Sequence, residues 1–209
     1  MYVPTFAAID EAAARAVVTE VGSGWLVTNS PEGPPLATLM PLLWRDGLLI
    51  AHLAKANPHW RSIADSTPGL MIVTGPEAYV SPSWYASKLE HGRVVPTWNY
   101  LAVHLSGPVR VHQDSVWLRA AVTDLTDLHE HQRPAPWQVT DAPDDYITSQ
   151  LRAIIGIEMR VEHVEGKAKL SQNRSEDDRA GVVEGLGRVA DPGSSSIAAA
   201  MRSADTDAG

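Results

Sequence analysis

The 209-residue chain has no cysteine and only one phenylalanine. The first absence removes disulfides, Cys-based zinc sites, iron–sulfur clusters and thiol nucleophiles together, and it fits a reducing compartment. No apolar run approaches the roughly 20 residues that cross a bilayer. The opening Met1-Tyr2-Val3-Pro4-Thr5 lacks the basic-then-apolar pattern of a secretory signal. A cytoplasmic location and no membrane partner are therefore expected. Positive charge is also short: 17 Lys and Arg stand against 25 Asp and Glu, a formal net charge of −8. Phosphate contacts dominate affinity for nucleic acid, so direct DNA binding is not expected of so acidic a chain. Two familiar catalytic signatures are missing as well. No G-x-G-x-x-G follows a strand, which argues against a Rossmann dinucleotide site, and there is no G-x-S-x-G nucleophile elbow.

What is present reads as an ordinary globular composition, 44% hydrophobic and 20% charged. The i, i+3, i+4 spacing of Ile9, Ala12, Ala13, Ala16 and Val17 predicts a helix over 11–21, capped by Asp10 and ended by Gly22. The period then changes to that of strands, over 24–28, 36–44 and 48–53. Asn29-Ser30-Pro31-Glu32-Gly33 and Arg45-Asp46-Gly47 supply the turns, and Pro41 argues for an edge or bulge. Short turns between strands mean an antiparallel meander. Asn57-Pro58 and Ser81-Pro82 are each a cap followed by proline at the first helical position. Strands are expected over 70–74 and 78–80 around a Gly75-Pro76 turn, a mobile polar loop over 88–95, and a long strand over 100–112. Helices are expected from Asp114 to His131 and from Asp141 to Leu151, then a strand over 155–161. Ser175-Glu176-Asp177-Asp178 resembles a capping box that opens a helix to Leu186. One domain is thus expected over 1–186. The Gly-, Ser-, Ala- and Asp-rich stretch 187–209 is expected to be a disordered tail.

Three stretches carry chemistry. His52-Leu53-Ala54-Lys55-Ala56-Asn57-Pro58-His59-Trp60 sits where a strand meets a helix start. Backbone N–H groups there favour an anion, and Lys55 adds a full charge. The plainer reading is an Asn-Pro cap beside a solvated lysine. Ser81-Pro82-Ser83-Trp84-Tyr85 and Val95-Pro96-Thr97-Trp98-Asn99-Tyr100 offer flat apolar faces with polar edges, as a planar ring requires, or else simply core aromatics. Lys167-Ala168-Lys169-Leu170-Ser171-Gln172-Asn173-Arg174 is a donor-rich segment that suits a phosphate or a pyrimidine edge, or is a solvated turn. His129-x-His131 lacks an arranged carboxylate, so no metal site is expected. The pairs Asp144-Asp145 and Asp177-Asp178 stand at helix starts, where the helix dipole accounts for them.

Taken in order, "MYVPTF", "HLAKANPHW", "GPEAYVSPSWY", "VPTWNYLAVH" and "GIEMRVEHVEGKAKLSQNR" resemble the PaiB family, flavin mononucleotide (FMN)-binding proteins known as negative transcriptional regulators. The resemblance covers residues 1–186. It implies an α+β fold, an antiparallel split β-barrel with peripheral helices, as in pyridoxamine phosphate oxidase. It also implies a homodimer with FMN at its interface. Carried onto this sequence, His52, Lys55 and Asn57 would meet the phosphate. Thr97, Trp98 and Asn99 would lie at the ring, and Lys169, Gln172 and Asn173 would reach in from the later segment. The family name implies repression of genes for degradative enzymes and sporulation; with direct DNA contact not expected, such a regulator would act through bound flavin, a small-molecule effector or a partner. A flavin-dependent oxidoreductase fed by an electron donor such as NAD(P)H is the alternative, with His104 and Tyr100 the nearest candidates for proton chemistry. Haem, held by a histidine in some split-barrel relatives, is a third.

Overall fold

The computed structural model describes residues 1–30 and 33–206. Pro31 and Glu32 of the first expected turn, and residues 207–209 of the expected tail, lie outside the described residues. The elements are β1 (Ala8–Ile9), α1 (Glu11–Val21), β2 (Ser23–Thr28), β3 (Leu36–Arg45), β4 (Leu48–Ala54), β5 (Thr67–Val80), α2 (Ser87–His91) and β6 (Thr97–His112). They continue with α3 (Ser115–Glu130), α4 (Asp144–Leu151), β7 (Ile154–Arg160), β8 (His163–Lys169), α5 (Glu176–Gly187) and α6 (Pro192–Thr206). The strand order is β1-β8-β6-β5-β2-β3-β4-β7, and β7 pairs again with β6. Six strands therefore close on themselves. With antiparallel registers throughout β1–β8, β2–β3, β2–β5, β3–β4, β4–β7 and β6–β7, this is the α+β split β-barrel anticipated from the sequence.

The chain divides into two compact units, where one domain was expected. One unit comprises Val18–Val73 and His104–Val164. Here strand alternation builds the barrel core. Leu49, Ala51 and Leu53 of β4 lie opposite Met159, Ile157 and Ile155 of β7, and all six are buried. Side chains directly opposite one another share a face, so one period-2 pattern fills the interior from both strands. Each large side chain so buried stabilises the fold by roughly 1.5–3 kcal/mol. The β3–β4 hairpin turns on Asp46 (φ 53°) and Gly47 (φ 76°), the left-handed pair that a two-residue primed turn requires. Pro41, expected at an edge or bulge, instead sits in an interior strand. It pairs with Ser23 at the end of the β2 ladder, and the β4 ladder begins at Leu42. The residue without an N–H thus occupies the changeover between two partners.

The other unit comprises Met1–Val17, Thr74–Val103 and Glu165–Gly209. Its core joins Ala78, Val80 and Tyr85 to Ala168 and Leu170, to Val182 and Leu186 of α5, and to Ile197, Ala198 and Met201 of α6. Three sequence expectations are corrected in it. Gly75-Pro76 is no turn: β5 runs unbroken through it, and a Cβ at Gly75 would lie 2.9 Å from Leu101 Cβ. The loop at 88–95 opens as α2, closed by Gly92 in the left-handed conformation (φ 67°). Residues 192–206 of the expected tail form α6, whose Ile197, Ala198 and Met201 are wholly buried.

Candidate functional site

The segment 52–60 folds as its caps dictate. The Asn57 side chain accepts from His59 N at 3.0 Å and donates to Thr38 Oγ1 at 3.2 Å, opening a 3-10 turn over Pro58–Ser62. The buried His59 is held through both ring nitrogens, by Thr28 Oγ1 at 2.9 Å and Thr38 Oγ1 at 2.8 Å. Asn57 therefore spends its amide on the protein. The other two residues assigned to the phosphate keep free polar atoms. Lys55 is exposed, its backbone N–H given to Ala153 O at 2.8 Å. His52 has a buried Nδ1 with no hydrogen-bond partner among the described residues, and burial holds its imidazole below the usual histidine value.

The remaining six assigned residues belong to the second unit. Lys169 donates to Thr97 Oγ1 at 2.5 Å and to the Trp98 carbonyl, which ties the end of β8 to the start of β6. Trp98 is 52% exposed and meets Tyr79 edge-on, ring centres 6.1 Å apart. Both rings line a 720 Å³ cavity with Trp84 and Ser81. Asn99 is 0% exposed. Its amide exchanges hydrogen bonds with Ser171 Oγ at 3.0 and 3.2 Å and approaches Met201 Sδ, so it is a satisfied core polar group. Gln172 folds back on its own turn, accepting from Leu170 N at 2.8 Å and donating to Ala168 O at 2.5 Å. Asn173 is exposed. Thr97, Trp98 and Lys169 are thus brought together, Asn173 stays open, and Asn99 and Gln172 are committed to the fold.

The segment read as a polar turn is strand β8 as far as Lys169. Residues two apart on a strand share a face, so Lys167 and Lys169 point the same way. Lys167 is buried, donates to Tyr2 O at 3.0 Å, and lies over the Tyr2 and Tyr100 rings at 5.8 and 5.2 Å. Arg174 lies over the Tyr85 ring at 4.6 Å. Burial, then the charges of Lys167 and Arg174, push the Lys169 ammonium below the ordinary lysine range. Among the described residues none of these three cations has a carboxylate partner. Cations gathered without acids, and sheltered by aromatic faces, are the donor set an anion needs. This fits a flavin phosphate or the electron-rich edge of a flavin ring. Lys167 and Arg174 escaped the site assignment, and recognising 163–169 as a strand would have exposed the lysine pair. Tyr100 lies beneath Lys167, while His104 belongs to the barrel unit, so the two candidates for proton chemistry do not share a unit.

Comparison with known proteins bears on the family and the cofactor. The family described as "Putative FMN-binding domain" matches residues 1–178. The chain is 30% identical over 205 residues to "Protease synthase and sporulation protein PAI 2" of Bacillus subtilis, covering 96% of each. Among solved structures, the FAD and haem binding protein of Mycobacterium smegmatis superposes with a TM-score of 0.60 at 15% identity, covering 82% of this chain and 77% of that one. The flavocytochrome Anf3 of Azotobacter vinelandii gives 0.56 at 14%, covering 84% and 75%. These two show the shared fold. The family match and the relative aligned along 96% of its length make this chain a member of the FMN-binding PaiB family.

Proposed function

We propose that the protein is a flavin-bound regulator whose output passes through FMN, a small effector or a partner protein, and not through direct reading of DNA. The observation that carries this is the cluster of Lys167, Lys169 and Arg174, three positive charges with no carboxylate partner among the described residues, of which Lys169 is bonded to the Trp98 carbonyl. Lys169 and Arg174 hold negative charge on FMN, and Trp98 presents an apolar face to a planar ring. Bound FMN supplies hydride or single-electron chemistry. The residues of this chain orient the cofactor and set the charge around it. Family resemblance adds a homodimer with the cofactor at its interface, in the cytoplasm.

The test is titration of cofactor-free protein with FMN, followed by flavin fluorescence. Replacing Lys169 and Arg174 together by Ala removes two charge-assisted contacts. A contact of that kind contributes about 1.5–3 kcal/mol, so affinity should fall by at least about tenfold. Equal affinity in the double variant would overturn the reading.

Oxidoreductase activity is the second reading, favoured by the names of the two solved relatives, a flavin- and haem-binding protein and a flavocytochrome. Anaerobic mixing of the FMN-loaded protein with NADH and NADPH decides it. Rapid bleaching of flavin absorbance establishes an enzyme, and no bleaching with either donor leaves the regulator. The visible spectrum of the purified protein separates flavin from haem.

A further inference from the structure

In the second unit, the 720 Å³ cavity beside Trp98 is walled on one side by β5 and on the other by the residues that lead into α6. The volume is within the range of small-molecule sites, roughly 300–1,000 Å³. The two walls are packed tightly: a Cβ at Gly193 would lie 2.6 Å from Glu77 O, so only glycine fits there. Three aromatic residues line the cavity, Tyr79, Trp84 and Trp98. Its charged lining is Glu77 and Asp191, with no lysine, arginine or histidine. Glu77 is exposed, and neither carboxylate has an ionic partner among the described residues. Hydrogen bonds from Ser194, its backbone N–H first, hold the Asp191 carboxyl below the ordinary aspartate range, so it is charged at neutral pH. Aromatic faces beside unpaired carboxylates suit a positively charged organic group. The Lys167, Lys169 and Arg174 cluster has the opposite character, so this cavity is not a second place for a phosphate. Asp191 and Gly193 also lie beyond residue 178, where the match to the FMN-binding family ends.

We propose that this cavity is an effector subsite beside the flavin, which takes an organic ammonium ion, quaternary or protonated, with an apolar body. The ammonium meets Glu77 and Asp191, and the body lies on Tyr79 and Trp84. The role of effector rests on the flavin reading above and names the ligand class that reading leaves open. Of the residues given to FMN only Trp98 borders the cavity, and it supplies a wall and no charge. An indole offers two faces, one to the flavin ring and the other to the cavity, which makes the two ligands neighbours.

The experiment is isothermal titration of the full chain, with and without saturating FMN. Three probes share an aromatic body and differ in charge: benzyltrimethylammonium, benzyl alcohol and benzoate. The ammonium probe should bind saturably in both states, and the neutral and negative probes much more weakly. Its affinity should differ about fivefold or more between the two states, with the same factor appearing in FMN affinity when the probe saturates. Glu77→Gln should weaken the ammonium probe by at least about tenfold and leave FMN affinity in its absence unchanged. Tyr79→Ala should weaken the probe as well. The double Lys169→Ala, Arg174→Ala variant should lose FMN affinity and keep the ammonium probe. Equal binding of the three probes, no saturation, indifference to both cavity substitutions, or no coupling to FMN would each overturn the proposal. Mutual exclusion of probe and FMN would overturn it too, and would make the cavity the flavin ring's own pocket. Probe binding in a chain that takes up no FMN would instead overturn the flavin reading, and with it the role of effector.

Discussion

At the scale of single residues, His59 shows how a motif can be structural at its centre. Its ring lies between the Thr28 and Thr38 hydroxyls, and Asn57 ties the same turn to Thr38. His59→Ala leaves two hydroxyls short of a partner around a void. A loss of about 2–4 kcal/mol is expected, read as a lower urea midpoint at unchanged slope. His52 leads to a different expectation. Burial depresses its folded pKa below the ordinary histidine value. A histidine buried neutral is outcompeted for protons by its unfolded form, so the stability it confers is full above about pH 6.5 and is lost as pH falls through the folded pKa. Denaturation midpoints should drop with acidification over that window, and His52→Gln should flatten the drop. A slope identical in wild type and variant would show that other groups dominate. Sequence could not separate residues that bind from residues that satisfy themselves. Asn57, Asn99 and Gln172 carry the same kind of amide as Asn173, yet theirs are spent within a few residues or inside the core. Only coordinates reveal where a side-chain amide is already engaged.

At the scale of elements, the barrel strands were legible because their apolar residues alternate and their turns carry Gly, Asp and Asn. The misses have local causes. Strand β8 carries lysine at a buried position, which hides its period. Helix α6 follows Asp191-Pro192, the same cap-plus-proline signal read correctly at 57–58 and 81–82, and Asp191 Oδ2 accepts from Ser194 N at 2.7 Å. Its buried stripe of Ser194, Ile197, Ala198 and Met201 is too small-residued to look amphipathic among so many serines and alanines. That stripe is nonetheless structural. Met201→Ala should cost about 2–5 kcal/mol and lower Tm by several degrees in a thermal melt. A chain ending at 186 should lose more. An unchanged Tm in Met201→Ala would mean that α6 adds nothing to its core. Close packing also explains two glycines of α5. A Cβ at Gly181 would come within 2.1 Å of Trp84 O, and one at Gly185 within 2.3 Å of the Trp84 ring.

At the scale of the whole molecule, charge governs what the protein can meet. An excess of eight negative charges opposes a polyanion at long range, and nothing in composition offsets it. Gel-shift assays at physiological salt should show no specific retardation, with or without FMN. Tight, sequence-dependent retardation would return DNA readout to the account.

Its second unit is stitched from Met1–Val17, Thr74–Val103 and Glu165–Gly209, so an early-made segment waits for one made much later. The amino terminus is held by Glu165, and Ala8 and Ile9 pair with Lys167 and Gly166. On a ribosome adding about 5–20 residues per second, those partners emerge on the order of ten to thirty seconds after the segment they complete. Through that interval a nascent chain carries Tyr2 and an unpaired strand into a crowded cell, and its safe arrival depends on how quickly the partner strand follows.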